Sequence, residues 1–298
     1  MKIIVTGSLG NISKPLTEKL LQNGHAVTVI SSKPEKQKDI VALGATAAIG
    51  RLEDAHFLTA TFAGADAVYC MEPRGGAIGQ NLDVIAYTEK LCSNYVEAIK
   101  QAGVKRVVHL SSVGAHTDKG NGVLAFHYKA EKTLDKLPPE VGITFLRPVG
   151  FYPNLLDFVN MIKTQGAIAS NYGGTDRIIL VSPLDIAAAA AEEITTPLVG
   201  RKIRYVASED LTCNEVAGIL GAAIGKPDLK WILIPDERVL NGLIASGMNP
   251  RFAAGLVEMN ASRHSGVLYE DYDRNRPTLG SVKLKEYAKE FAAVFNQK

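Results

Sequence analysis

The sequence predicts an α/β protein with a doubly wound parallel sheet and a smaller α/β lobe at its C-terminal end. Three observations lead to this fold class. Short apolar runs alternate with amphipathic helical patterns through the first half of the 298 residues. The first run, Ile3 to Val5, ends in a glycine-rich turn that leads directly into a helical pattern. Apolar residues make up 46% and charged residues 21% of the chain, as is typical of globular enzymes.

The elements of the first half follow one another as strand, helix, strand. A helical pattern starts at Ile12 and ends at Asn23-Gly24, and the same alternation continues after it. Strands joined by helices in this way give a parallel sheet with right-handed crossovers. Strands are predicted at residues 3–5, 26–30, 45–49, 67–71, 106–110 and 143–146, and helices at residues 12–22, 34–43, 55–62, 81–102 and 126–137.

The second half is less regular. A capping-box pattern from Thr212 to Glu215 predicts a helix that starts at Cys213 and ends at Gly225. Regular alternation ends near Tyr152, so we predict one domain at residues 1–152 and a smaller lobe at residues 153–298 that shares strands with it. Further strands are predicted at residues 177–181, 202–206 and 231–234, and further helices at residues 154–163, 183–193, 236–245, 250–260 and 282–295.

Charge and cysteine content argue against several classes of protein. The formal net charge is +2 and no basic block occurs, so nucleic-acid binding is not expected. Cys70, Cys92 and Cys213 lack the spacing of a metal site, and we expect buried thiols in a reducing cytoplasm. His109 lies inside a predicted strand and is expected to be a core residue. The absence of a signal peptide and of an apolar stretch of ~20 residues indicates a cytoplasmic protein without a membrane span.

The turn after the first strand reads Thr6-Gly7-Ser8-Leu9-Gly10-Asn11-Ile12-Ser13. Glycines allow a tight turn and a close approach of the main chain to a pyrophosphate, and the helix that follows offers unpaired N–H groups to this anion. The strand–turn–helix context therefore predicts that residues 1–152 form a doubly wound parallel Rossmann domain that binds NAD(P). The predicted cofactor contacts of the turn are Thr6, Gly7, Leu9, Gly10, Asn11 and Ile12.

The residues after the second strand favour NADPH over NADH as the cofactor. An NAD enzyme usually places an acid there for the ribose 2′-hydroxyl, but the first acid after this strand is Glu35. Ser32 and Lys33 stand before it and would suit a 2′-phosphate. Lys33 could instead be a solvated loop lysine. Asp54, after the third strand, either reaches the adenine or caps the helix that follows.

A glycine-rich segment follows the fourth predicted strand, from Met71 to Gly79. Open α/β sheets bind ligands at the carboxyl ends of their strands, so Met71 and Glu72 are predicted to contact the cofactor. Arg74 either meets a phosphate or an acidic substrate, or is an exposed loop arginine.

Several short motifs follow one another along the chain. They are Thr6-Gly7-x-x-Gly10-x-x-Ser13, Ser111-Ser112, Lys129-Ala130-Glu131, Arg147-Pro148 with Phe151 and Asn154, and Asp185-Ile186-Ala187. In this order they resemble the NmrA-like proteins, which are atypical short-chain dehydrogenase/reductases and include bacterial NAD(P)H:quinone oxidoreductases, and the resemblance extends from Met1 to about Gly225. The chain departs from the family at Ser13, where Gly or Ala is usual, and at Arg51, where many relatives carry an acid.

Three residues on one predicted helix are candidates for catalysis. Lys129 matches the lysine that reductases of this family carry here, and the resemblance implies that it contacts the cofactor or the substrate. Tyr128 and Lys132 have the Tyr-x-x-x-Lys spacing of short-chain dehydrogenases, in which the lysine lowers the pKa of the tyrosine. Ser111 would be the hydroxyl partner and a cofactor contact. Alternatively none of them is catalytic, since several family members bind the nucleotide without turnover.

The residues after the sixth strand are predicted to border the substrate cleft. Phe151 is assigned to the cofactor, and Tyr152 and Asn154 are assigned to the substrate. Apolar helices within residues 239–259 are predicted to cover the cleft. Such a lining favours a flat apolar acceptor, for example a quinone.

Three functions are consistent with these features. The leading hypothesis is an NADPH-dependent reductase that transfers a hydride to a quinone or a similar conjugated carbonyl. The second is a redox-sensing regulator that binds NADP(H) without turnover and changes the activity of a protein partner. The third is a sugar-nucleotide epimerase, which would need a basic pocket for a diphosphate that the sequence does not show. The small-molecule substrate and the oligomeric state stay open.

Overall fold

The computed structural model describes residues 1–73 and 83–297, which form a central sheet, two small sheets and the helices around them. The strands are β1 (Lys2–Val5), β2 (Ala26–Ser31), β3 (Thr46–Ile49), β4 (Ala67–Cys70), β5 (Arg106–Leu110), β6 (Gly142–Pro148), β7 (Gly150–Phe151), β8 (Ile168–Ser170), β9 (Arg177–Val181), β10 (Arg201–Val206), β11 (Glu209–Thr212) and β12 (Trp231–Leu233). The helices are α1 (Ser13–Gln22), α2 (Gln37–Ala42), α3 (Ala55–Phe62), α4 (Val84–Ala102), α5 (Ala125–Leu134), α6 (Val159–Gln165), α7 (Pro183–Thr195), α8 (Cys213–Ala223), α9 (Asp236–Ala245), α10 (Pro250–His264), α11 (Glu270–Arg274) and α12 (Leu284–Asn296).

Seven strands form the central sheet in the order β10-β6-β5-β4-β1-β2-β3, and all neighbouring pairs are parallel. The strand order reverses direction between β1 and β4. Helices α1, α2 and α7 cover one face of the sheet, and α3, α4 and α5 cover the other. The predicted doubly wound fold is therefore confirmed. Sheets of this kind bind ligands in the crevice at the reversal, outside the carboxyl ends of β1 and β4.

The central strands are apolar along their whole length because both faces of the sheet are covered. In β4, Tyr69 packs in the cluster on the α1 side, whereas Val68 packs in the cluster on the α4 side. In β5, Val108 packs on the α1 side and Val107 packs on the α4 side. Each large apolar side chain buried in this manner contributes about 1.5–3 kcal/mol to the stability of the fold.

The C-terminal half contributes both to the central sheet and to a separate core. Strand β10 pairs with β6 at one edge of the central sheet. Strand β9 pairs with β7 and antiparallel with β11, and β12 pairs with β8. Helices α8 and α12 pack over these strands in a third hydrophobic cluster that includes Tyr152, Trp231 and Phe291.

Most predicted elements agree with the structure, and the differences concern short segments. The bounds of β5, β9, α3 and α9 are those predicted, and the capping box of Thr212 and Glu215 precedes α8. Strands β7, β8 and β11 were not predicted, because two to four residues carry no readable periodicity. The helix predicted at residues 154–163 is divided, since Tyr152–Phe158 form a 3-10 helix before α6.

The helix predicted at residues 81–102 begins at Val84 in the described residues, and Asp83 caps it by accepting hydrogen bonds from Ile85 and Ala86. Residues 81 and 82, with Arg74 and the glycines near it, lie outside the described residues. Among residues 1–73 and 83–297, no helix has the length and apolar character needed to cross a membrane.

Candidate functional site

The glycine turn, residues Thr6 to Ser13, lies at the reversal of strand order between β1 and β4. Gly7 has a φ of 88°, and a Cβ there would lie 2.6 Å from the Ser13 hydroxyl oxygen. The Ser13 hydroxyl donates to the carbonyl of Thr6 at 2.8 Å, so the serine at the third position of the motif helps to close the turn. Glycine is therefore required at position 7 both for its dihedral angle and for space.

Helix α1 starts directly after this turn. The N–H of Lys14 donates to the carbonyl of Gly10 at 3.0 Å and Pro15 has no N–H, so the main-chain N–H groups left for a ligand are those before Lys14. No side chain caps the helix, and its first turn contains no acidic residue. The first N–H groups of a helix lack partners within the helix and carry the positive end of its dipole. Gly10 and Asn11 at this point are exposed. The geometry is that of an anion site formed by main-chain groups.

The end of β2 presents a hydroxyl and an ammonium to solvent beside the glycine turn. Ser31 is buried, and its hydroxyl oxygen accepts hydrogen bonds from the Ser8 hydroxyl at 3.0 Å and from the N–H of Lys33 at 3.2 Å. Ser32 and Lys33 are exposed, and Lys33 forms no ion pair within residues 1–73 and 83–297. An uncompensated cation at this place suits a phosphate group.

Asp54 caps helix α3. Its carboxylate accepts a hydrogen bond from the N–H of Phe57 at 3.0 Å. Of the two roles considered for this residue, the structure shows the capping role.

Met71 lies under the glycine turn, whereas the side chain of Glu72 contacts His109 and Cys92. The N–H of Met71 donates to the Thr6 hydroxyl oxygen at 2.9 Å, and its carbonyl accepts from the Tyr95 hydroxyl at 2.8 Å. The carboxylate of Glu72 lies 3.0 Å from Nε2 of His109 and accepts from the Cys92 thiol at 3.3 Å. A contact from Glu72 to the cofactor would therefore have to come from its main chain.

A buried set of polar side chains connects the ends of β5 and β6 to helices α5 and α11. We call it the arginine network; it holds two carboxylates around one guanidinium. Its hydrogen bonds are Ser111 hydroxyl to Glu131 at 2.5 Å, Arg147 Nε and Nη2 to Glu131 at 2.9 and 2.7 Å, Arg147 Nη1 to Asp271 at 3.1 Å and to Tyr205 at 3.3 Å, and Tyr205 hydroxyl to Asp271 at 2.5 Å.

The arginine network perturbs the titration of its members. Burial lowers the pKa of Arg147, but the hydrogen bonds and charge of Glu131 outweigh this, so the net pKa is raised. Burial also lowers the pKa of the nearby His116 imidazole, an effect that the charge of Asp271 opposes. From the sequence, Glu131 and Arg147 were identified only as residues of the family motifs. An arginine inside an apolar strand was the signal for the network.

The three catalytic candidates lie together on α5, and the predicted serine partner is hydrogen-bonded to a different residue of the same helix. Tyr128 and Lys129 are half-buried and Lys132 is exposed. The ammonium groups of Lys129 and Lys132 lie 5.9 and 5.5 Å from the centre of the Tyr128 ring, a distance at which cation–π attraction acts. Ser111 donates to Glu131 instead of Tyr128. The Tyr and Lys of the pattern thus meet, but the hydroxyl of Ser111 is engaged by a different residue.

The residues after β6 separate into a cleft group and a core group. Phe151 is half-buried and Asn154 is exposed, as a binding role requires. Tyr152 is fully buried, stacks on Tyr287 at 5.5 Å and donates to Glu209 at 2.9 Å. A side chain without exposed surface does not line a cleft, so the structure does not support the assignment of Tyr152 to the substrate.

Two C-terminal helices lie over the loop that follows β5. Helix α10 approaches this loop so closely that a Cβ on Gly122 would lie 1.9 Å from the carbonyl oxygen of Gly255. Helix α9 packs against α10 but buries none of its residues fully, and its apolar Leu240 and Leu243 stay half-exposed. Helix α10 therefore lies against the loop after β5 and α9 keeps apolar surface, while the covering of a substrate cleft by these helices stays a prediction.

Asp185, a residue of the family motifs, ties the C-terminal segment to the central domain. Its carboxylate accepts from the Ser208 hydroxyl at 2.5 Å and from the N–H groups of Ser281 and Val282 at 3.3 and 3.2 Å. A Cβ on Gly280 would collide with this carboxylate. Asp185 is therefore a structural residue of the junction between the two halves.

Comparison with known proteins agrees with this architecture. The family model of the NmrA-like family matches residues 1–283, so the chain belongs to the NmrA-like family. A search of curated protein sequences finds no significant match.

Solved structures show the same fold at low sequence identity. An NADPH-dependent quinone oxidoreductase from Escherichia coli, complexed with NADPH, has a TM-score of 0.79 at 22% identity over 97% of this chain and 99% of that chain. A triphenylmethane reductase from Citrobacter sp. has a TM-score of 0.75 at 22% identity over 98% of this chain and 100% of that chain. A nucleoside-diphosphate-sugar epimerase from Staphylococcus aureus has a TM-score of 0.76 at 17% identity over 97% of this chain and 100% of that chain.

Proposed function

We propose that this member of the NmrA-like family binds NADPH and reduces a quinone or a similar conjugated acceptor. The observation that carries the proposal is the glycine turn, with the uncapped N-terminus of α1, beside the exposed Ser32 and Lys33. The first site suits a pyrophosphate, and the second suits the 2′-phosphate that distinguishes NADPH from NADH.

The cofactor would extend along the carboxyl ends of the strands. The turn residues from Thr6 to Ile12 would hold the pyrophosphate through their main chain. The adenosine would lie on the β2 side, towards Lys33. The nicotinamide would then extend past Met71 towards Ser111 and Phe151, because these residues follow β4, β5 and β6.

Reduction of the acceptor requires a positive group near the oxygen that gains charge. The nicotinamide supplies the hydride when it is bound. The protein must orient the acceptor and stabilise the developing oxyanion. The half-buried ammonium of Lys129 is the cation we assign to this role, with Tyr128 as a proton donor. The half-exposed apolar residues of α9 would contact a flat acceptor.

The names of two relatives support this class of reaction. One is a quinone oxidoreductase that was solved with NADPH, and another reduces triphenylmethane dyes. An epimerase shares the fold as well. Epimerase chemistry is disfavoured here because the Ser111 hydroxyl donates to Glu131, so the serine of the Ser, Tyr and Lys constellation is engaged by a different residue.

Oxidation of NADPH in the presence of a panel of quinones tests the proposal. We expect turnover with at least one quinone and a preference for NADPH over NADH. The Lys129→Met variant should lower kcat and leave the affinity for NADPH nearly unchanged if the lysine stabilises the oxyanion. Binding of NADPH without turnover of any acceptor would reject the reductase function and leave a nucleotide-binding regulator.

A further inference from the structure

Three side chains that can ligate a metal converge between the central sheet and α4. Glu72 follows β4, His109 is in β5 and Cys92 is on α4. One ligand atom from each residue lies within 4.8 Å of the others. Nε2 of His109 is 3.2 and 3.0 Å from the two carboxylate oxygens of Glu72, and the Cys92 sulfur is 3.3 Å from one of them.

The cluster is buried and closed upon itself. His109 and Cys92 have no exposed surface, and Glu72 is 8% exposed. Every hydrogen bond that the structure shows for these three side chains goes to another member of the cluster. Among residues 1–73 and 83–297, no lysine or arginine forms an ion pair with Glu72. The basic group beside this carboxylate is the imidazole of His109 at 3.0 Å, and a buried carboxylate is costly to keep charged because water no longer solvates it.

We propose that Glu72, Cys92 and His109 bind one borderline-soft divalent cation, with Zn²⁺ as the best match. Thiolate, imidazole and carboxylate are the ligands that zinc takes in proteins, at about 2.0–2.3 Å. Both oxygens of Glu72 face His109, so three side chains offer four donor atoms.

The charges of the loaded site balance. The thiol proton of Cys92 leaves to solvent as the sulfur–metal bond forms, and no electron is transferred. A divalent cation, one thiolate, one carboxylate and a neutral imidazole then sum to zero charge in the protein interior. The bound cation itself supplies the positive potential that lets a buried thiol lose its proton.

The position of the cluster indicates what the metal would do. Glu72 directly follows Met71, whose main chain is hydrogen-bonded to Thr6 of the glycine turn and to Tyr95 of α4. A metal at Glu72 would connect β4, β5 and α4 immediately beneath the cofactor turn. We therefore expect it to stabilise the fold and to hold the end of β4 in place, without contact to the substrate.

Cobalt substitution tests the site, because a thiolate bound to Co²⁺ absorbs strongly in the near ultraviolet. The purified full chain, treated with a chelator and then titrated with Co²⁺, should develop this band and saturate at one equivalent. Added Zn²⁺ should abolish the band and raise the thermal unfolding temperature. This measurement uses the unmodified protein and does not depend on the folding of a variant.

Variants then assign the ligands. Cys92→Ser and His109→Gln should each weaken binding of Co²⁺ by at least about 100-fold. Cys70→Ser is the matched control, since Cys70 is also fully buried on the α4 side of the sheet and should leave the band intact. Absence of a thiolate band at saturating Co²⁺, or its persistence in Cys92→Ser, would overturn the proposal. Binding of NADPH, followed separately, tests the cofactor site independently.

Discussion

The glycine turn beside β1 and the arginine network beside β6 lie at the same edge of one sheet, yet they are constructed in opposite ways. The turn exposes main-chain groups and leaves the first N–H groups of α1 without a side-chain cap. In the network, Arg147 is buried and donates to Glu131, Asp271 and Tyr205. Open main-chain groups therefore mark the proposed ligand site, whereas polar groups with internal partners hold the fold together.

The largest expected effect is the loss of stability when the arginine network loses its cation. Arg147→Met would leave the buried carboxylate of Glu131 and the partly exposed carboxylate of Asp271 without their cation. We expect the free energy of unfolding, measured with urea, to fall by about 3–5 kcal/mol. Arg274→Met is the control, because the exposed Arg274 pairs only loosely with Glu270 and its loss should change stability by less than about 0.5 kcal/mol. Equal losses of unfolding free energy for both variants would contradict the conclusion that the arginine network holds the fold together.

The next largest effect should be on the affinity for NADPH. Gly7→Ala places a Cβ at a positive φ and close to Ser13, which would displace the turn. We expect the affinity for NADPH, measured by calorimetry, to fall at least about 10-fold. Gly44→Ala is a matched control, since Gly44 has a φ of 92° with open space around it. The strained φ should cost both variants about 1–2 kcal/mol of stability, and the contact with Ser13 should add to this cost in Gly7→Ala, but only Gly7→Ala should lose affinity for NADPH.

A smaller effect should separate the two nicotinamide cofactors. Lys33→Gln removes the exposed cation at the end of β2. A charge-assisted hydrogen bond to a phosphate is worth about 1.5–3 kcal/mol, so the affinity for NADPH should fall by about 10-fold or more. The affinity for NADH should not change. Lys36→Gln, which removes a neighbouring exposed lysine that pairs with Asp39, should alter neither affinity. An equal loss for both cofactors would show that Lys33 does not meet the 2′-phosphate.

The smallest effect should appear in the pH dependence of stability. Burial lowers the pKa of His116 in the folded state, so the unfolded chain binds this proton more readily. The stability that the neutral imidazole contributes is present above the ordinary histidine pKa of about 6.5 and is lost as the pH falls through the folded value. His116→Gln should flatten the pH dependence of the unfolding free energy below about pH 6.5. An unchanged slope would contradict the lowering of the His116 pKa by burial.

Particular residues show how far sequence reasoning reached. The capping box before α8 and the strand β5 were predicted at their observed positions, because each depends on residues that are close in sequence. The network of Glu131, Arg147 and Asp271 was not predicted. Its members come from α5, β6 and α11, and Arg147 and Asp271 are separated by 124 positions. No local pattern encodes such a pairing.

The sequence by itself determined the alternation of strands and helices, the glycine turn and the missing acid after β2. These features depend on dihedral preferences and hydrophobic periodicity, which act over a few residues. Only the tertiary structure decided which side chains meet. It directed Glu72 towards His109 and Cys92, engaged Ser111 with Glu131, and buried Tyr152 in the C-terminal core. The physical reason is that packing brings distant segments together, and most buried polar groups find their partner in such a segment.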